Sequence, residues 1–68
     1  MNEQQLKYWL AWNKISDIGP KRFYQLIKYF GTAENAWKAK SEEISEVLNL
    51  SHKISSRIYE EKNNIDLN

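Results

Sequence analysis

Cysteine is missing altogether from the 68 residues, and the chain holds only one proline, one histidine, one methionine and two glycines. Without cysteine there are no disulfides and no thiolate metal sites, so an intracellular, cytoplasmic setting is expected. A lone histidine, His52, leaves a metal short of ligands, and neither metal nor cofactor is expected. His52 reads instead as an exposed residue in a turn that starts a helix. A serine-nucleophile signature is lacking, as is a glycine loop of the nucleotide-cradling type. The adjacent acids Glu42-Glu43 and Glu60-Glu61 point in different directions on a helix and make no catalytic pair. No catalytic residue is expected, and the chain reads as a non-enzyme. No apolar run approaches the ~20 residues of a membrane span, and the N-terminus has no signal-peptide pattern. A soluble domain without membrane contact follows as the expectation.

What the chain does have is aromatic bulk: three Trp, four Tyr and two Phe. At this length a single core barely suffices, and large rings supply the area it needs. Net charge is only +1, too little to grip a polyanion by bulk charge. The distribution is uneven. Up to residue 31, five bases (Lys7, Lys14, Lys21, Arg22, Lys28) face two acids (Glu3, Asp17), whereas beyond it seven acids outnumber five bases. The first half is the electropositive one.

That half holds the stretch around which the chain is organised, Ile15 to Gly31. Gly19 suits a bend because it can take backbone angles barred to other residues. Pro20 stands where a first helical residue belongs, since its missing N–H had no helical partner. Phe23, Leu26, Ile27 and Phe30 recur at helical spacing as a buried stripe, and Gly31 is a stop. A hairpin feeding a helix in this way offers backbone N–H groups to phosphate, the helix-hairpin-helix arrangement; a corner whose glycine serves packing alone is the other reading.

Before the hairpin, Glu3 to Lys14 reads as helix. Leu6, Trp9 and Leu10 form one face, widened by Tyr8, Ala11, Trp12 and Ile15. The expectation is that Trp9 and Leu10 fill the core while part of Tyr8 or Trp12 stays outside, able to stack on a base or a partner protein. After the hairpin, Thr32 caps a short helix to about Lys38, with Ala36 and Trp37 facing inward. Ser41 is expected to cap the next helix through its hydroxyl, followed by Glu42 and Glu43, with Ile44, Val47 and Leu48 buried. Leu48 to Ile54 then reads as a second, degraded hairpin. Asn49 stands at the left-handed position and Ser51 caps the last helix, whose Ile54, Ile58 and Ile65 share one side. Arg57 and Glu61 are spaced for an exposed ion pair, and Asn63 to Asn68 is expected to fray or lead into more chain. The fold class is all-α: five helices and no strand, a small bundle of tandem helix-hairpin-helix units spanning 1–68.

Trp9-Leu10, Trp12, Ile15, Ile18-Gly19-Pro20, Phe23, Leu26-Ile27, Phe30-Gly31-Thr32 and Ala36-Trp37 resemble the N-terminal domain of the DNA-processing protein A family (DprA, also called Smf). The resemblance is close over 9–37 and looser to about Asn68. It implies a sterile-alpha-motif-like (SAM-like) domain of paired hairpins, preceding a Rossmann-like domain that binds single-stranded DNA and is absent here. By the same resemblance, the full proteins protect incoming DNA in natural transformation and help load the RecA recombinase. The chain departs from the family's pattern at Ser16-Asp17, which replaces Pro-Gly, and at Trp12, which replaces Leu. Asp17 is expected to cap the second helix, occupying the spot a phosphate would use and repelling one that arrives.

Two functions follow. The first is an accessory DNA-binding domain: Gly19, Lys21 and Arg22 meet the backbone through amides and charge, with Lys14 and Lys28 as outlying cations, and single-stranded DNA is the expected, weakly held partner. The second is a protein-interaction or architectural domain without DNA binding of its own, using Tyr8, Trp12, Tyr24 and Tyr29. Its partners would be its own Rossmann-like neighbour, another copy, or a recombination protein.

Overall fold

Asn2 opens the first helix, its side chain accepting the Gln5 N–H at 2.8 Å. The computed structural model describes residues 2–67, and five helices account for its regular structure. They are α1 (Glu3–Asn13), α2 (Pro20–Phe30), α3 (Ala33–Lys38), α4 (Ser41–Leu48) and α5 (His52–Asn63). No strand occurs among the described residues. The protein is a small all-α bundle. Helix α1 packs on α3, both α3 and α4 pack on α2, and α4 packs on α5.

Most boundaries follow from local chemistry. Pro20 is the first residue of α2, and Gly31 ends it with φ 93°, which favours glycine. Thr32 accepts the Asn35 N–H at 3.0 Å to start α3. Asn49 ends α4 in the left-handed region, at φ 54° and ψ 53°. Ser51 accepts the Ile54 N–H at 3.2 Å and caps α5. Ser41 departs from expectation. The cap of α4 is Lys40, with no side-chain hydrogen bond, and the Ser41 hydroxyl donates instead to Glu42 Oε1 at 3.2 Å.

The core gathers Trp12, Ile15 and Leu26, the largest fully buried side chains, with Tyr8, Ile18, Ala36, Ile44, Leu48 and Ile58 around them. Phe23, Ile27, Phe30, Trp37, Val47 and Ile54 close over this cluster while keeping some exposure. The Trp12 indole N–H donates to the Ala33 carbonyl at 3.1 Å, and its ring meets Trp37 edge-on at 4.9 Å. Helix α1 therefore faces inward by the opposite stripe from the one expected. Tyr8 and Trp12 are buried, while Trp9 and Leu10 stand partly in solvent. A helix apolar on nearly every side does not fix its own rotation. The donor-bearing ring went where a carbonyl could accept from it.

The end of the chain also departs from the expectation of fraying. Ile65 and Leu67 lie beyond α5 yet pack against the core cluster. Asn68 falls outside the described residues. The turns of the two expected hairpins differ in length, spanning 14–19 between α1 and α2 but only 49–51 between α4 and α5.

Candidate nucleic-acid interface

The first turn is built by short backbone bonds. The Ile15 N–H donates to Trp12 O and the Ile18 N–H to Ile15 O, both at 3.1 Å. Ile15 and Ile18 are thereby turned inward as buried plugs. Between them, Ser16 and Asp17 point outward and are held by α5. Arg57 clasps the Asp17 carboxylate with two prongs, Nε to Oδ2 at 2.9 Å and Nη2 to Oδ1 at 2.7 Å. One helical turn further on, Glu61 accepts from the Ser16 N–H at 2.8 Å and the Ser16 hydroxyl at 2.6 Å. The pair Arg57–Glu61, expected to bridge to each other, grips the first turn instead. The Arg57 hydrogen bonds hold the Asp17 carboxyl below its ordinary range, and Asp17 in turn raises the Arg57 guanidinium.

This arrangement frees the start of α2. Asp17 does not cap it. The N-cap is Gly19, with no side-chain hydrogen bond, and no acid occupies the first turn. Arg22 folds back to donate to the Asp17 carbonyl at 2.7 Å, stiffening the approach to the helix. Gly19, Pro20 and Lys21 are exposed. Gly19 is extended, at φ −88° and ψ −174°, an angle pair open to any residue. A Cβ built on it meets nothing within 4 Å. The expected conformational need for glycine is therefore absent, and so is any packing need within the chain.

Over 66 residues, 97% of its length, the chain is 35% identical to Protein Smf of Synechocystis sp.. It is a DprA/Smf-like domain. The Smf-like domain covers 17% of that relative's length. It is also 40% identical over 48 residues to the UvrABC system protein C of Coxiella burnetii, and 39% identical over 46 residues to that of Vibrio cholerae. Those stretches are 71% and 68% of this chain and 8% of each relative. No protein-family model and no solved structure matches the chain.

The other candidate residues of the Smf-like domain are spread along α2 and α1. Lys28 is exposed in the last turn of α2, eight residues past Pro20 and so about 12 Å along the axis. Tyr24 and Tyr29 are 61% and 62% exposed on the same helix, Tyr29 meeting Phe30 edge-on at 4.9 Å. Helix α2 thus carries Lys21, Arg22, Lys28 and two open tyrosines, and no acid. Lys14 is exposed at the C-cap of α1. Tyr8 and Trp12, expected as interaction rings, offer no such surface. They are 6% and 0% exposed.

Among the described residues, no group of three or more His, Cys, Asp or Glu stands ready to hold a metal, and no helix is long and apolar enough to cross a membrane. Sequence reasoning missed Lys62, whose stem is half-buried. Its Nζ donates to the Trp37 carbonyl at 2.8 Å and lies 5.4 Å from the Trp12 ring and 5.1 Å from that of Trp37. Desolvation pushes this ammonium down to about 8. Two tryptophans and a lysine with no sequence spacing in common gave no local signal of the cluster.

Proposed function

We propose that this domain is a non-catalytic accessory part of a DprA-like DNA-processing protein acting in DNA uptake and recombination. It makes weak, sequence-independent contact with the DNA backbone through a helix-hairpin-helix element at the first turn. In this reading Gly19 and Lys21 meet a phosphate, Arg22 braces the turn, and Lys14 and Lys28 extend the positive field. One observation carries the reading: Arg57 pairs with the Asp17 carboxylate and offsets its charge, while the α2 start has no side-chain cap and no acid in its first turn. The bare, extended backbone at Gly19 suits close approach by a sugar-phosphate chain. Similarity to Smf supplies the DNA-processing context.

With two or three phosphates engaged, log affinity for single strands falls against log salt with a slope of about −1.4 to −2.1. Titrating the labelled domain with single- and double-stranded oligonucleotides at low salt tests the reading. The Gly19, Lys21 and Arg22 amides are expected to shift. Unmoved amides with both substrates would end it.

A protein-interaction role is the second reading, favoured by a different observation: Leu6, Trp9 and Leu10 are left partly uncovered on α1. In that reading partners come from the domain's own longer protein, another copy or a recombination protein.

A further inference from the structure

Among the described residues, Leu6, Trp9 and Leu10 are the only large exposed hydrophobics that are not tyrosines, at 48%, 38% and 52% exposure. They form one stripe on α1 at i, i+3 and i+4. Beside Leu6 and Leu10 runs a groove of about 320 Å³ whose opposite wall is the C-terminal segment from Ile65 to Leu67. Glu3 and Lys14 line the same groove, one at each end of α1. Trp9 is held by an edge-on contact with Phe23 at 4.7 Å, so its open edge is a fixed feature rather than a swinging one.

This face is complementary to itself under one operation, a two-fold axis running between the two copies level with residue 8 of α1. Antiparallel pairing about that axis lays Leu6 of one copy against Leu10 of the other. The same axis keeps each residue on its own side of the seam, so Glu3 of each copy comes beside Lys14 of the other. Opposite charges meet at both ends, whereas a parallel pairing in register would set like against like. We propose that the outer face of α1 is an isologous, antiparallel dimer interface between two copies of this chain. Three half-exposed apolar side chains per copy make a small interface, so the dimer is weak and reversible. The hairpin residues Gly19 and Lys21 stay outside it, and the outlying cation Lys14 is the one residue shared with the proposed DNA contact.

Sedimentation equilibrium of the 68-residue chain, from about 10 µM to about 1 mM, reads such an association. A monomer–dimer equilibrium is expected, weakened about tenfold or more by Leu10→Glu, which places charge in the seam. Glu3→Lys and Lys14→Glu should each weaken it several-fold, and the double swap Glu3→Lys/Lys14→Glu should restore it, since only an antiparallel self-pair exchanges these partners. Far-UV circular dichroism follows folding of each variant, and the charge series decides the matter should Leu10→Glu unfold. A chain monomeric throughout this range overturns the proposal, as does a double swap no stronger than the single ones.

Discussion

Arg57 and Asp17, forty positions apart in the chain, meet through two parallel hydrogen bonds of 2.9 and 2.7 Å. The last helix thereby sets the electrostatics of the first turn. Removing the guanidinium would leave a loose carboxylate close to the uncapped start of α2. Arg57→Ala is expected to weaken DNA binding without altering any residue that touches DNA in the proposed mode. Comparing oligonucleotide affinity of Arg57→Ala with that of Arg57→Ala/Asp17→Asn checks the cause, since the second change should restore most of the loss.

The same pair predicts an acid response. Asp17 has a lowered carboxyl pKa in the folded chain, chiefly through its hydrogen bonds from Arg57. Its contribution to stability is therefore complete above the unfolded aspartate value of about 3.9 and is lost as pH falls through the lower folded one. Following the Asp17 carboxyl by NMR should show a midpoint below the ordinary range, returning upward in Arg57→Ala.

Gly19→Ala separates folding from binding. The backbone angles at 19 suit alanine and its Cβ meets no atom within 4 Å, so the thermal midpoint should stay within a few degrees of the parent. DNA affinity should nevertheless fall, because the methyl group stands where the phosphate must approach. An unchanged affinity would favour the interaction reading.

Trp12 anchors the core with a fully buried ring, an indole hydrogen bond to Ala33 and an edge-on contact with Trp37. Trp12→Ala should cost about 3–5 kcal/mol. A chain of this length holds roughly 3–10 kcal/mol in all, so the variant should lose about a third or more of its stability. Trp12→Phe keeps a ring but gives up the indole hydrogen bond to Ala33 and part of the packing, and should cost about 1–3 kcal/mol. Urea denaturation followed by circular dichroism measures both.

Lys62 gives an alkaline signature. Desolvation lowers its ammonium to about 8 in the folded chain, below the ~10.4 of a free lysine. Between these values the unfolded chain binds more protons, so the Lys62 contribution makes stability rise with pH across that window. Across that window the denaturation midpoint of the parent should rise relative to that of Lys62→Met, the two being compared from pH 7 to 10. Parallel curves would refute the assignment.

Much of the fold was legible because it is local. Gly31, Thr32, Asn49 and Ser51 act on N–H groups or angles within a few residues, and each stands where its chemistry put it. The apolar stripe of α2 was equally readable, because its polar face is unambiguous. Helix α1 was not. Its rings surround it, and only the position of the Ala33 carbonyl and Trp37 decides that Trp12 turns inward and Leu10 outward. Arg57 and Glu61 misled for a related reason: their spacing offered a partner four residues away, while stronger geometry waited at Ser16 and Asp17. At the candidate site the cations were visible in the sequence, but the diversion of Asp17 was not, since it depends on a helix forty residues downstream.

The bond from the Ser16 amide to Glu61 has a kinetic consequence. That proton is sheltered by a carboxylate from the far end of the chain, not by a neighbouring rung of helix, so its exchange with solvent clocks one event alone: the last helix letting go of the first turn. An anion that competes for Arg57 should quicken that clock while the interior amides keep their own time.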